Sequence, residues 1–153
     1  MTLGPDAPGH DPAAPDRLDV AIPSDVAQIE RVVDMVVARC QAHHYPRRAC
    51  ALNVPVALTE ALANAIVAGN REDAAKHVRV RARVDDRELV LEVQDEGAGF
   101  DFAGEAWGPD DSDAHEREDG RGLFLMRRLM DRVEQWATPG HGNVVRMTLR
   151  RLA

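Results

Sequence analysis

The chain has 153 residues, of which 26 are acidic and 19 basic, and carries a formal net charge of -7 with a pI near 5.3. This length fits one domain with a single core, and the acidity argues against direct binding of nucleic acid or anionic lipid. No apolar run approaches the roughly 18 residues that span a bilayer, and the N-terminus has no basic segment that leads into an apolar one, so we expect a cytoplasmic protein with no membrane contact.

Residues 1–17 predict a disordered tail. They hold four of the nine prolines together with Gly, Ala and Asp, a mixture that buries too little apolar surface to offset the entropy lost on ordering. The folded domain is therefore expected to cover residues 18–153. Cys40 and Cys50 lie in no CxxC or metal-binding spacing, so we expect both to be reduced, structural thiols.

The first predicted elements are a strand and an amphipathic helix. Leu18, Val20 and Ile22 alternate with less apolar residues and the strand ends at Pro23. Ser24 offers an N-cap for the helix that follows, which ends near residues 43–46. Apolar residues recur along this helix at a period near 3.6, namely Val26, Ile29, Val33, Val36 and Cys40.

The segment VPVALTEALANAIVAG predicts a second helix. Pro55 indicates either that the regular part begins there or that a kinked turn precedes it. Gly69 and Asn70 are natural residues for its C-terminus.

A β-hairpin follows the second helix. Apolar residues alternate with arginines in HVRVRARV, and after a turn at Asp85 and Asp86 the segment ELVLEVQD repeats the alternation through Leu89, Leu91 and Val93. The arginines of the first strand face away from the core and can pair with Glu88 and Glu92 across the hairpin. A solvated face with such pairs is the favoured interpretation, and a basic patch for a partner is the alternative.

Residues 101–119 are rich in Asp, Glu, Gly and Pro and predict a long loop. A third helix is expected after Gly122, then a strand over 133–137 and a last strand whose Val145, Met147 and Leu149 face inward. Three helices and about five strands predict an α+β fold, a two-layer sandwich with one mixed sheet, all helices on one face, and the other face exposed and polar.

Three clusters of residues can carry chemistry. Glu60 and Asn64 lie one helical turn apart in an otherwise apolar helix, where unneeded polar groups are costly unless they form a solvated stripe. Asp95 ends a strand and is followed by Gly97 and Gly99, a pattern of a ligand loop or of an ordinary turn. The third cluster, Gly120, Arg121, Gly122 and Leu123, opens the third helix as an anion site or as a glycine hinge.

The chain has one lysine, Lys76, and no GxxxxGK[ST] motif. This excludes a P-loop and the strand lysine of eukaryotic-type protein kinases. The segments TEALANAIVAGN, DEGAGFD and GRGLFLMRRLMD, in this order, resemble the N, G1 and G2 boxes of the histidine-kinase-like ATPase superfamily. Within it they are most similar to the anti-sigma-factor serine/threonine kinases, and the resemblance covers about residues 18–149.

The resemblance implies ATP and Mg²⁺ as ligands and a role for each cluster. Asn64 would hold Mg²⁺, and Glu60 would act as the general base. Asp95 would accept from the adenine amino group, with Gly97 and Gly99 shaping the purine pocket. The amides of the third cluster would close over the phosphates, and the acidic loop would be the ATP lid. The chain departs from the family pattern at Ala68, where many relatives have His, and at Gly142-Asn143, where Gly-Thr is common.

The function implied is a protein kinase that phosphorylates an anti-anti-sigma antagonist and holds a sigma factor, acting as a homodimer. A nucleotide-gated binding module with little or no kinase activity is the alternative. The catalytic half of a histidine kinase is disfavoured, because 153 residues leave no space for a dimerising helix pair with a phospho-acceptor His.

Overall fold

A computed structural model describes residues 15–97, 118–138 and 142–152, with the backbone alone for residues 118–122. Within these ranges the chain forms five strands and three α-helices. The strands are β1 (Asp16–Pro23), β2 (His77–Val84), β3 (Glu88–Gln94), β4 (Arg132–Thr138) and β5 (Gly142–Arg150). The helices are α1 (Ile29–Ala42), α2 (Val54–Ala63) and α3 (Glu118–Leu129).

The five strands form one sheet in the order β1-β2-β3-β5-β4. Every neighbouring pair is antiparallel, so the prediction of a mixed sheet was wrong. The reason lies in the connections. α3 joins β3 to β4, and these two strands run in the same direction. β5 runs in the opposite direction and lies between them, so neither strand has a parallel neighbour. β1 and β2 are joined through α1 and α2 and are antiparallel as well.

The core lies between one face of the sheet and the helices, as the two-layer prediction requires. Val145, Met147 and Leu149 pair with core residues of β3 and face inward, which confirms their predicted direction. Burial of large aliphatic side chains is the main force that holds the layers together. The largest of those fully buried are Ile22, Leu58, Leu62, Ile66, Leu89, Leu91, Met126 and Met147.

The outer face of the sheet is charged and paired. The favoured interpretation of the arginine row is confirmed, because each of its three arginines lies within reach of a carboxylate on the sheet or on the turn that follows it. The contacts are Arg79 Nη2 to Asp19 Oδ2 at 2.7 Å, Arg83 Nη2 to Glu88 Oε2 at 2.9 Å, and Arg81 Nη1 to Glu92 Oε1 at 3.8 Å. Exposed pairs of this kind contribute little to stability, but they keep the face hydrophilic.

Two predicted starts near the N-terminus move in the structure. β1 begins at Asp16, because Asp16 and Arg17 already pair with Val84 and Arg83 of β2; the predicted start at residue 18 was two residues late. Residues 1–14 of the predicted tail lie outside the described residues. Asp25 caps a short 3₁₀ helix, Val26–Gln28, that precedes α1, and its Oδ1 accepts from the N–H of Ala27 at 2.9 Å. α1 itself has no side-chain cap, and the hydroxyl of Ser24 instead donates to the carbonyl of Lys76 at 2.7 Å.

The central helix is longer than α2 alone. A π-helical segment, Ala49–Asn53, precedes α2 and a second one, Asn64–Gly69, follows it. Pro55 lies in the first turn of α2, directly after the π-helical segment, so its missing N–H interrupts the hydrogen-bond ladder where the helix is already irregular. Both sequence alternatives for Pro55 are thus partly realised, since α-helical geometry begins beside it and an irregular turn comes before it.

The stretch Ala49–Gly69 is long and apolar enough to cross a membrane by length and composition, with 21 residues and a mean hydropathy of 1.5. The statement that no apolar run approaches spanning length was therefore wrong. Four polar residues interrupt the run, but they do not lower its mean hydropathy enough to exclude a membrane span by composition. This helix forms the core of the fold, and core helices pass the same test, so the finding is weak support for a membrane span.

Cys40 and Cys50 are both free and buried. Burial, with a smaller contribution from Cys50, raises the pKa of the Cys40 thiol to about 12. A thiol with such a pKa carries almost no thiolate at neutral pH and is unreactive. Both residues act as small hydrophobic groups in the core, as predicted.

Candidate functional site

The central helix carries Glu60 and Asn64 on one side. The N–H of Asn64 donates to the carbonyl oxygens of Glu60 and Ala61, which places the two side chains one turn apart. Both are half-buried, and neither side chain forms a hydrogen bond or ion pair with another described residue. A carboxylate and an amide held at a half-buried position without a partner among the described residues are available to a ligand.

Asn64 also marks a change in the helix. It is the first residue of the π-helical segment Asn64–Gly69, in which the turns are wider than in an α-helix. Such segments are rare and occur often at functional sites. Here the segment places Gly69, at the end of the helix, against the loop that follows β3.

Asp95 lies at the start of that loop and is only 6% exposed. Its Oδ1 atom accepts from the N–H of Gly97 at 2.8 Å, from the N–H of Asn143 at 3.1 Å, and from Nδ2 of Asn143 at 3.4 Å. Its Oδ2 atom accepts no hydrogen bond from the part of the chain that the structure describes. One carboxylate oxygen therefore fixes the side chain, and the other is left as an acceptor for a ligand.

Three glycines surround Asp95 at distances that admit no side chain. A Cβ atom on Gly69 would lie 2.2 Å from Asp95 Oδ2, and one on Gly97 would lie 2.4 Å from the carbonyl oxygen of Gly69. Gly142 has a φ of +86°, and a Cβ there would lie 2.0 Å from the Asp95 carbonyl oxygen. The end of the central helix and the loop after β3 are thus in direct contact, which brings the first two clusters together.

Burial raises the pKa of Asp95 above its usual value, although hydrogen bonds from Gly97 and Asn143 oppose the shift. The folded protein therefore holds this proton at a pH where the unfolded chain has lost it. Since the folded state binds more protons at Asp95 in that window, the contribution of Asp95 to the free energy of unfolding should rise as the pH falls from above the raised pKa to below 3.8. Denaturant titrations of wild type and Asp95→Asn over pH 3–7 measure this difference. The assignment would be contradicted if wild type became more stable relative to Asp95→Asn as the pH rises.

The third cluster differs from its prediction. α3 begins at Glu118, not after Gly122, so the expectation that these glycines precede the helix was wrong. Acidic residues at 118 and 119 favour a helix start there, and each glycine within the first turns costs only about 1 kcal/mol. The amides without an intrahelical partner then end at Gly120, and those of Arg121, Gly122 and Leu123 fall within the hydrogen-bonded helix.

α3 nevertheless lies against the helix of the first cluster. It contacts α2 and the Asn64–Gly69 segment, and Leu123 is buried. Near its other end, Nδ2 of Asn53 donates to the carbonyl of Leu129 at 2.6 Å. Residues 98–117, with Gly99, Trp107 and most of the predicted lid, lie outside the described residues.

Sequence reasoning missed part of this site. Gly69 and Asn70 were assigned only to the helix end, and Gly142-Asn143 only to a departure from a family pattern. In the structure Gly69 contacts Asp95, Asn143 holds Asp95 Oδ1, and Asn70 is buried among hydrogen bonds. A polar Asn directly after an apolar helix was the available signal for Asn70.

The geometry can be compared with known proteins. A model of the histidine kinase-like ATPase domain family matches residues 22–149. The chain belongs to this family. The resemblance drawn from the three clusters is confirmed, and an ATPase domain has ATP as its nucleotide.

Several similar relatives are named anti-sigma F factor. That of Caldanaerobacter subterraneus subsp. tengcongensis is 32% identical over 123 residues, covering 80% of this chain and 85% of the relative. That of Bacillus subtilis is 28% identical over 126 residues, covering 82% and 86%. The chain therefore also belongs to the anti-sigma F factor family.

A solved structure agrees on the fold of this ATPase domain. The histidine kinase domain from the Erythrobacter litoralis EL346 blue-light activated histidine kinase has a TM-score of 0.54 and 16% sequence identity. The match covers 95% of this chain and 67% of that one. At this identity the likeness concerns the fold alone, and it confirms the predicted α+β class and the histidine-kinase-like ATPase fold.

Proposed function

We propose that this chain is an ATP-dependent protein serine/threonine kinase that phosphorylates an anti-anti-sigma antagonist and acts as an anti-sigma factor. The names of its relatives support the anti-sigma part. The kinase part rests on one observation: Glu60 is half-buried, without a partner among the described residues, and one turn from Asn64. An anti-sigma protein that only bound its partners would have no need of this carboxylate.

The residues around Asp95 fit an adenine base. Oδ2 of Asp95 offers an acceptor for the amino group of the base, and three glycines leave the backbone bare around it. In the proposal Gly97 and Gly99 shape this pocket. The amides of Gly120, Arg121, Gly122 and Leu123 close over the phosphates, which requires the first turns of α3 to open. Two glycines make that opening inexpensive.

Asn64 fits a role in holding Mg²⁺. The described residues include no group of three His, Cys, Asp or Glu side chains that could hold a metal by itself. A hard cation bound through one amide oxygen would take its other ligands from phosphates and water. The ion would neutralise charge on the phosphates, and Asn64 would fix where that charge lies relative to Glu60.

Glu60 would serve as the general base. The hydroxyl oxygen of the substrate attacks the terminal phosphorus, the bond to the ADP oxygen breaks, and the hydroxyl proton passes to the Glu60 carboxylate. A carboxylate beside an aliphatic helix face is well suited to this step, because no described cation neutralises it. Positioning by the base pocket and the phosphate amides supplies the rest of the rate enhancement.

Phosphoryl transfer is the direct test. The purified chain, labelled ATP and Mg²⁺ are incubated with a small antagonist protein that carries an acceptor Ser or Thr. The proposal predicts one phosphorylated hydroxyl for each ADP formed. ATP-dependent release of a bound sigma factor without any transfer would instead support the nucleotide-gated binding module.

The homodimer and the cytoplasmic location stay predictions, and sedimentation of the purified chain tests the first.

Replacing Asn64 with Ala should weaken ATP binding about tenfold or more in the presence of Mg²⁺, because one ligand of the ion is lost. In EDTA the affinities of variant and wild type should be equal. Calorimetric titrations with and without the metal measure both. Thr59→Ala, at an exposed position on the same helix, is the control and should leave both affinities unchanged. An equal loss of affinity in EDTA would contradict the assignment of Asn64.

A further inference from the structure

Asn70 is a buried polar residue that the proposed chemistry does not use. It follows the central helix directly and is only 1% exposed. A buried amide side chain is costly unless its donors and acceptor are satisfied. The hydrogen bonds of Asn70 therefore show which segments fix its side chain and which segments the side chain fixes in turn.

Its side chain joins three separate segments. Nδ2 donates to Oγ of Ser24 at 2.9 Å, just after β1, and to the carbonyl of His77 at 3.0 Å, at the start of β2. Oδ1 accepts from the N–H of Glu96 at 2.7 Å, in the loop after β3. Both amide hydrogens and the carbonyl oxygen are thus used, so the position of Asn70 is fully determined by the fold.

Glu96 lies between Asp95 and Gly97, so this bond acts on the base pocket. The side chain of Glu96 is held as well, because its Oε2 accepts from the N–H of His77 at 2.5 Å. The loop is therefore clamped through its main chain and its side chain. Asn70 provides the link between this clamp and the helix that carries Glu60 and Asn64.

We propose that Asn70 is a positioning residue that fixes Asp95 against the end of the central helix and thereby sets the selectivity for the nucleotide base. The inference rests on the proposed nucleotide site and deepens it. With 1% of its surface exposed, Asn70 acts through Glu96 and Asp95 and does not contact the nucleotide. Its loss should move the Asp95 acceptor while leaving the phosphate end of the site in place.

The test compares ATP with inosine triphosphate, which has an oxygen in place of the 6-amino group. Wild type should prefer ATP, because the Asp95 acceptor meets a donor in ATP and another acceptor in inosine triphosphate. In Asn70→Ala the affinity for ATP should fall about tenfold, while that for inosine triphosphate changes less than about twofold. The ratio of the two affinities is the readout, because general loss of structure lowers both alike.

Asn53→Ala is the matched control. Asn53 lies on the central helix that Asn70 follows and also donates from Nδ2, to the Leu129 carbonyl at 2.6 Å, but it has no hydrogen bond to the described part of the loop after β3. This variant should lose stability and keep the ATP preference of wild type. Ser24→Ala removes one partner of Asn70 and should lower the preference by a smaller factor; it carries the test by the same ratio if Asn70→Ala does not fold.

The outcomes separate this inference from the proposed function. Failure of wild type to bind ATP would reject the nucleotide site itself. ATP binding by wild type, with an unchanged preference in the Asn70 and Ser24 variants, would overturn only the positioning role. An equal loss of preference in Asn53→Ala would also overturn it, because the effect would then follow from stability. Equal wild-type affinities for the two nucleotides would reject the role of Asp95 and this inference with it.

Discussion

Glu60→Gln should lower the rate of phosphoryl transfer about 10²- to 10⁴-fold, the range expected for loss of a general base. The amide keeps the shape of the side chain but cannot take the proton of the attacking hydroxyl. Glu60 is half-buried and has no partner among the described residues, so the folded state should lose little stability. Single-turnover transfer from labelled ATP, with saturating Mg²⁺ and antagonist protein, measures the rate.

Binding of ATP separates chemistry from affinity in this variant. The affinity of Glu60→Gln for ATP and Mg²⁺ should lie within about twofold of the wild-type affinity, because the general base Glu60 acts on the substrate hydroxyl and not on the nucleotide. Glu30→Gln, at an exposed position on α1, removes the same charge elsewhere and should leave the transfer rate unchanged. A Glu60→Gln protein that transfers phosphate at the wild-type rate would exclude Glu60 as the base.

Much of the fold could be predicted because its elements carry strong local patterns. The alternation of Val78, Val80 and Val84 with arginines, and that of Leu91 and Val93 with Glu92 and Gln94, has a period of two that only a strand can use. The same local logic located the first two clusters, since Glu60 and Asn64 stand out in an apolar helix. Period and polarity are properties of neighbouring residues and can be read directly from the chain.

The missed features depend on contacts between residues far apart in sequence. Ser24 looks like an N-cap in isolation, but its hydroxyl donates to Lys76 and receives a bond from Asn70. The strand order follows from the insertion of β5 between β3 and β4, which no local period encodes. Gly69 is a helix terminator by pattern, and its second role appears only when Asp95 is folded against it.

Gly69 offers a test in which two physical effects have opposite signs. The φ of Gly69 is not in the left-handed region, whereas that of Gly142 is. The backbone at Gly69 should therefore tolerate Ala. Helix propensity alone then predicts that Gly69→Ala stabilises the protein by up to about 1 kcal/mol. The contact with Asp95 predicts the reverse, since the added Cβ would lie 2.2 Å from Oδ2 and 2.5 Å from Cγ.

The unfavourable contact with Asp95 should outweigh the gain in helix propensity. Asp95 cannot swing away cheaply, because its Oδ1 is held by Gly97 and Asn143, so the helix end and the loop must separate. We expect Gly69→Ala to lower the free energy of unfolding by about 1–3 kcal/mol and the affinity for ATP at least about tenfold, because the base acceptor moves. Chemical denaturation and calorimetry measure the two effects.

Ala68→Ser is the control for Gly69→Ala. It adds one heavy atom at the neighbouring, exposed position and should change neither quantity by more than about 0.5 kcal/mol. If Gly69→Ala were as stable as wild type or more so, propensity would have prevailed and the helix end would not press on Asp95. A destabilised variant with unchanged ATP affinity would place the contact outside the nucleotide site. Loss of both properties together is the result that ties the glycine at the end of the helix to the acceptor for the base.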